Sequence, residues 1–213
     1  MNILVFEYIT GGGFVNTELP EALANEGGIM LRALTNDLLS LEGVSITVPV
    51  DYRLDAEKFF SSSDNTHLII IEKGQNIIQL LPELMAQCDA IWPVAPESDS
   101  ILTGICRMVE AAGKTLLSSS SLATEITGNK LSAFFRLRRH GIPTVPTELL
   151  SEHSHYQGGE WVIKPIDGVG CENTFLIHNR QDFEWVRKTF ENPSRLLVQT
   201  YIKGKVFSLS CLF

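Results

Sequence analysis

Five short apolar runs, three of them followed by segments of helical period, fill the first half of this chain and narrow its architecture. They are "NILVFEY" (2–8), "VSITVPV" (44–50), "THLIIIEK" (66–73), "CDAIWPV" (88–94) and "KTLLS" (114–118). Continuous rather than alternating hydrophobicity is what a strand covered on both faces needs. Leu23, Met30, Leu31, Leu34, Leu38 and Leu41 recur at three- and four-residue spacing and predict a helix over 19–41, weakened at Gly27-Gly28. "NIIQLLPELMAQ" (76–87) is helical, with Pro82 implying a kink or a late start. "DSILTGICRMVEAAG" (99–113) is a helix that Ser98 or Asp99 can cap and Gly113 closes. Strands alternating with helices predict a parallel, doubly wound α/β sheet, which binds ligands outside the carboxyl ends of its strands. "EYITGGG" and "WPVAPESDS" both fall at such ends.

The pattern changes after the serine cluster at 118–121, which reads as a hinge or loop. "GNKLSAFFRLRRHGIPTVPT" begins as a helix on Leu131, Phe134, Phe135 and Leu137, and Gly141, Pro143 and Pro146 end it. Strands are predicted at 160–166, 173–178, 195–202 and 205–213, with one helix at 180–190. That is a mostly antiparallel α+β unit. The expected domains are 1–118 and 119–213.

Charge and cysteine usage narrow the function classes. A net charge of −8 and a pI near 5.1 argue against a nucleic-acid binder. The basic run Arg136–Arg139 reads as a solvated helix face. No apolar run reaches the roughly 18 residues of a membrane helix, and "MNILVFEY" lacks the basic start of a signal peptide. Cys88, Cys106, Cys171 and Cys211 fit no common zinc spacing. Cys88 and Cys106 read as buried thiols, and a reducing cytoplasm is the expected location. His153 and His155 could chelate a metal on a strand, but a surface loop or edge strand is the better reading.

Two glycine stretches are candidates for holding phosphate. The run Gly11-Gly12-Gly13-Phe14-Val15-Asn16 lacks the third spaced glycine of the dinucleotide fingerprint, and it lacks the lysine of a P-loop. It reads as a mobile strand-to-helix loop or as a backbone approach to a small ligand. "WVIKPIDGVGCENTFLI" (161–177) is the better candidate. Lys164 ends an apolar strand and supplies a point charge, and Gly168 and Gly170 let backbone amides approach an anion.

Taken in order, "GNKLSAFFRLRRHGIPTVPT", "WVIKPIDGVGCENTFLI" and "LVQTYIKGKVFSLSCLF" resemble the ATP-grasp superfamily over about residues 119–213. The preceding unit resembles a pre-ATP-grasp domain. "MNILVFEYITGGG", "NEGGIMLRALTNDL" and "APESD" more narrowly resemble the tyramine–glutamate ligase subgroup of methanofuran-type cofactor synthesis. The resemblance implies an ATP-dependent ligase joining a carboxylate, glutamate first among them, to an amine through an acyl phosphate.

It also implies roles for particular residues. Lys130 would reach the phosphates, and Lys164 would touch adenine and the α-phosphate. Gly168 and Gly170 would form the lid over the phosphates. Gln199 would read the adenine amino group, and Tyr201 and Ile202 would bind adenine through their backbone. Gly204 matches the turn that follows. Val206 stands where the family has a ribose-binding glutamate, and Thr200 replaces a common acidic residue. Mg²⁺ is implied, with ligands expected beyond residue 213 and none within this chain, so the expected ATP-grasp domain is incomplete. Gly11, Gly12, Gly13 and Glu97 are the candidates for the substrate side of the cleft. The implied partners are small carboxylate and amine substrates, with no nucleic acid or membrane, and a homodimer is open to it. A non-catalytic ATP- or ligand-binding module is the alternative.

Overall fold

The computed structural model describes residues 1–55, 65–168 and 170–207. The chain divides into two compact units, Met1–Gly128 and Asn129–Phe213.

The first unit holds five parallel strands, β1 (Asn2–Glu7), β2 (Ser45–Asp51), β3 (Thr66–Ile71), β4 (Ala90–Val94) and β5 (Thr115–Leu116), in the order β3-β2-β1-β4-β5. Its helices are α1 (Glu21–Leu39), α2 (Ile77–Ala86), α3 (Ile101–Ala111) and α4 (Ser121–Gly128). The unbroken hydrophobicity of β1 has a direct cause. Leu4 and Phe6 pack with Ile77, Leu81, Met85, Ile105 and Val109 on one side of the sheet. Ile3 and Val5 pack with Leu31, Leu38, Ile46 and Val48 on the other. Helices cover both faces, so alternation has no solvent side to mark.

Three local expectations need correction. Asn76 caps α2, accepting from the Ile78 N–H at 3.0 Å, and the helix runs through Pro82 rather than starting after it. Neither Ser98 nor Asp99 caps α3 through its side chain; a single turn precedes it, with Asp99 at φ 53° and Ser100 at φ 59°. The last serine of the 118–121 cluster is anchored: the Ser121 N–H and hydroxyl donate to the Glu110 carboxylate at 2.8 and 2.6 Å. Those bonds hold the Glu110 carboxyl below its ordinary range. They dock α4 onto α3, where Thr103 donates to Thr124 at 3.2 Å.

Gly27 in α1 has a packing reason. A Cβ on Gly27 would lie 2.5 Å from Oε2 of Glu7, the last residue of β1. Glu7 is 2% exposed, and burial, ahead of every other influence, pushes its carboxyl above the ordinary value of 4.5. A carboxyl raised on folding contributes stability that is complete below pH 4.5 and lost as pH climbs through the raised value. Glu7→Gln removes that titration. The urea midpoint of the native chain should therefore fall relative to that of Glu7→Gln as pH rises from about 4.5 to 7. Parallel pH profiles would contradict this.

The second unit is an antiparallel sheet of β6 (Thr147–Leu149), β7 (Trp161–Pro165), β8 (Phe175–Ile177) and β9 (Leu196–Thr200), in the order β6-β9-β7-β8. Helix α6 (Arg180–Thr189) covers one face, where Trp161, Ile163, Ile177, Phe183, Val186, Leu196 and Val198 form the core. Helix α5 (Lys130–Arg139) starts at an Asn129 cap whose side chain accepts from the Ser132 N–H at 2.9 Å. Phe134 is buried, but Phe135 points outward at 56% exposure, against the expected apolar set. Strand β6 has no sequence forecast; it is three residues long and follows Pro146 directly. Of the strand expected at 205–213, residues 205–207 carry no regular structure, and 208–213 lie outside the described residues. The chain is thus a mixed α/β protein with one parallel and one antiparallel sheet.

Candidate nucleotide and substrate sites

Directly opposed residues in an antiparallel pair share a sheet face. The opposed pairs Val162–Gln199, Lys164–Leu197 and Thr147–Gln199 therefore put Lys164, Gln199 and Thr147 on the face turned away from α6. Lys130 approaches the segment just past Lys164. Its N–H donates to Ile166 O at 2.8 Å and its ammonium to Gly168 O at 3.0 Å. The first turn of α5 is thereby tied to the loop after β7, and the two lysines converge.

Lys164 is half-buried and has no hydrogen-bond or ion-pair partner among the described residues. Burial first, and the Lys130 charge second, push its ammonium below the ordinary 10.5. A desolvated cation beside a second cation is unfavourable until an anion arrives, and this pair fits one. Gly168 and Gly170 sit at φ 92° and 66° with open space where a Cβ would stand. The backbone turn requires glycine there, and no neighbour among the described residues fills the space a ligand would approach.

Gln199 is oriented by its neighbours. The Thr147 hydroxyl donates to Val145 O at 2.9 Å, so it accepts from the Gln199 amide nitrogen at 2.7 Å. The Gln199 carbonyl oxygen is left without a partner among the described residues, set to accept from an amino group. The Tyr201 N–H donates to Glu160 O at 2.9 Å, which withdraws it from any ligand. The Tyr201 carbonyl and the Ile202 N–H make no hydrogen bond among the described residues. Val206 is fully exposed.

The opening glycines have a different logic. A Cβ on Gly11 would lie 2.9 Å from the Phe6 ring, on Gly12 2.8 Å from Ile71, and on Gly13 2.5 Å from Tyr8. The run lets a turn, closed by Gly13 N–H to Tyr8 O at 2.8 Å, fold down onto the strand ends. Three anchors hold it. Glu7 accepts from the Ile9 N–H (3.1 Å), the Thr10 N–H (2.6 Å) and the Thr10 hydroxyl (2.7 Å). Arg53, paired with fully buried Asp51 at 2.7 Å, donates to Phe14 O and Thr17 O at 2.6 and 2.7 Å. Asn16 joins Gln75 O and the Gly74 N–H, both at 2.7 Å. The mobile-loop reading is therefore replaced by a braced turn.

A cleft of about 240 Å³ lies beside this turn, lined by Tyr8, Gly12, Gly13, Asn16, Gln75 and Asn76 among others. Glu97 does not line it and is exposed. Burial, and then the Asp99 carboxylate, raise the Tyr8 phenol above 10.0. Glu7, Asp51, Arg53 and Asn16 were not nominated for any site from the sequence, and Asp99 was named only as a helix cap. The one available signal was a lone carboxylate closing the buried run "NILVFE".

Other candidates resolve simply. Cys88 and Cys106 are buried, and Cys171 is exposed. Arg136, Arg138 and Arg139 are exposed, as a solvated face requires. The His153 side chain is 11% exposed and packs edge-on to Trp161 at 5.4 Å, so it is not a surface histidine. No group of three or more His, Cys, Asp or Glu side chains able to hold a metal ion occurs among the described residues. No described helix is long and apolar enough to cross a membrane.

A doubly wound parallel unit followed by an antiparallel unit with paired lysines at a glycine loop defines a class, a pre-ATP-grasp domain joined to an ATP-grasp domain. Residues 44–124 match the pre ATP-grasp 3 domain and residues 127–213 the ATP-grasp domain. The chain belongs to the ATP-grasp superfamily. It is 25% identical over 210 residues to the tyramine–L-glutamate ligase of Methanocaldococcus fervens, covering 98% of this chain and 65% of that one. An ATP-grasp superfamily protein from Archaeoglobus fulgidus shares the fold at a TM-score of 0.66 and 18% identity, over 96% of this chain and 54% of that one. The D-alanine–D-alanine ligase of Bacillus anthracis, solved in complex with ATP, matches at a TM-score of 0.56 and 19% identity, over 96% and 60%.

Proposed function

We propose that this chain carries the nucleotide cradle of an ATP-dependent ligase that joins a carboxylate, glutamate first among them, to an amine through an acyl phosphate. One observation carries the reading: Lys164, unpaired and half-buried, stands beside Lys130 at the base of a glycine loop. The two ammonium groups hold the phosphates, and the Gly168 and Gly170 amides close over them. The Gln199 carbonyl oxygen accepts from the adenine amino group. The Tyr201 carbonyl and Ile202 N–H supply the complementary acceptor and donor at the adenine edge. The name of the methanocaldococcal relative and the ATP bound to the Bacillus ligase support this assignment.

Magnesium bound with ATP neutralises phosphate charge in phosphoryl transfer. Among the described residues no group of three or more His, Cys, Asp or Glu side chains stands together to hold it, and Asp167, next to the glycine loop in sequence, is paired with Arg195 at 2.6 Å. The residues present hold and orient the nucleotide, and no metal-dependent step is assigned to them. The small-substrate side is assigned to the braced turn Ile9–Gly13 and its 240 Å³ cleft.

Phosphate release from ATP tests the ligase reading, using a panel of amino acids and amines with Mg²⁺. Release that needs both glutamate and an amine is expected. ATP binding with no release under any pair would favour the non-catalytic nucleotide-binding module instead.

A further inference from the structure

We infer that Arg195 and Asp167 form a charge-neutralising pair that makes the base of the glycine loop compatible with a polyanion; this rests on the ATP reading above. Asp167 lies three residues past Lys164 and one before Gly168, where a free carboxylate would oppose a triphosphate. The Arg195 guanidinium binds it at 2.6 Å, Nη2 to Oδ2. Arg195 comes from the turn Pro193–Arg195, directly ahead of β9. Its own backbone takes part as well, since the Ile166 N–H donates to Arg195 O at 2.9 Å.

The segment between Lys164 and the loop is thus gripped from two sides. Arg195 holds the Ile166 N–H and the Asp167 carboxylate, and Lys130 holds Ile166 O and Gly168 O. The main-chain bond to Arg195 does not depend on its side chain. Arg195 is therefore a positioning residue with an electrostatic task separable from the fold. An exposed ion pair adds little to stability, and the Arg195 side chain is 57% exposed. Its value lies in what Asp167 becomes when the pair is broken.

The test is nucleotide binding by the full chain, as native protein, Arg195→Gln, Asp167→Asn and the double variant, with ATP, ADP, AMP and adenosine. Arg195→Gln frees the carboxylate. It should weaken ATP about fivefold or more, ADP and AMP by progressively less, and adenosine not at all. High salt should shrink the loss. Asp167→Asn alone should bind ATP as well as the native chain or better. The double variant should regain native ATP affinity to within about twofold, because no charge is left to neutralise. An equal loss across all four ligands, no loss for ATP, or no recovery in the double variant would overturn the pairing role while leaving the ATP reading intact. If the native chain binds none of the nucleotides, the ATP reading fails and the pairing role falls with it.

Discussion

Replacing Lys164 by alanine should weaken ATP binding by roughly 10- to 150-fold, the loss of one charge-assisted phosphate contact. It should do so without destabilising the nucleotide-free second unit. Most buried residues lose stability on truncation to alanine. Lys164 differs because its ammonium has no hydrogen-bond or ion-pair partner among the described residues, and burial and Lys130 both act against its charge. Removing it relieves those two costs in the empty site and forfeits the attraction in the filled one. Calorimetric titration with ATP and a urea melt of the same variant check the two halves. A variant that binds ATP normally, or that unfolds while its affinity per folded molecule is unchanged, would show that Lys164 serves packing rather than phosphate.

Gly12→Val is expected to destabilise the first unit by about 2–5 kcal/mol, combining left-handed backbone strain with overpacking. Gly12 sits at φ 97°, and its missing Cβ would lie 2.8 Å from Ile71, which is fully buried. A β-branched side chain is among the least tolerant of that backbone. The variant should lower the urea midpoint of the first unit, with any loss of small-substrate binding following from the unfolding. A Gly12→Val protein of native stability would mean that the turn is looser than its three anchors imply.

The parallel sheet was the most legible feature in the sequence. Its inner strands β1, β2 and β4 are largely buried, and a continuous apolar run is a signal that needs no partner to be read; the edge strand β3 carries such a run yet leaves Leu68 and Ile70 exposed. The antiparallel unit was legible in class but not in every strand. β6 is only three residues long and gains its place from pairing with β9, a contact made across 52 positions between Thr147 and Gln199. Helix α4 was hidden for a similar reason, because its serine start reads as loop until Glu110 is there to bind it.

At the candidate site, residue types nominated Lys164, Gly168 and Gly170, and Lys130 and Gln199 came only from the family resemblance. The sequence could not say that Tyr201 spends its N–H on Glu160, or that Thr147 fixes which end of the Gln199 amide faces out. Both facts depend on residues far away in sequence. The triple glycine was ambiguous in the sequence. Glycines that make room for a ligand and glycines that make room for Phe6, Ile71 and Tyr8 look identical until the neighbours are known.

On the proposed function, the second unit holds ATP on the Lys130–Lys164–Gln199 face. Amide chemical-shift mapping of the full chain during an ATP titration tests it most directly. The largest shifts should fall at Lys130, Lys164, Gly168, Gly170, Gln199 and Ile202, with Gly11, Gly12 and Gly13 unmoved by ATP. Shifts centred on the opening glycines, with the lysine face silent, would contradict it.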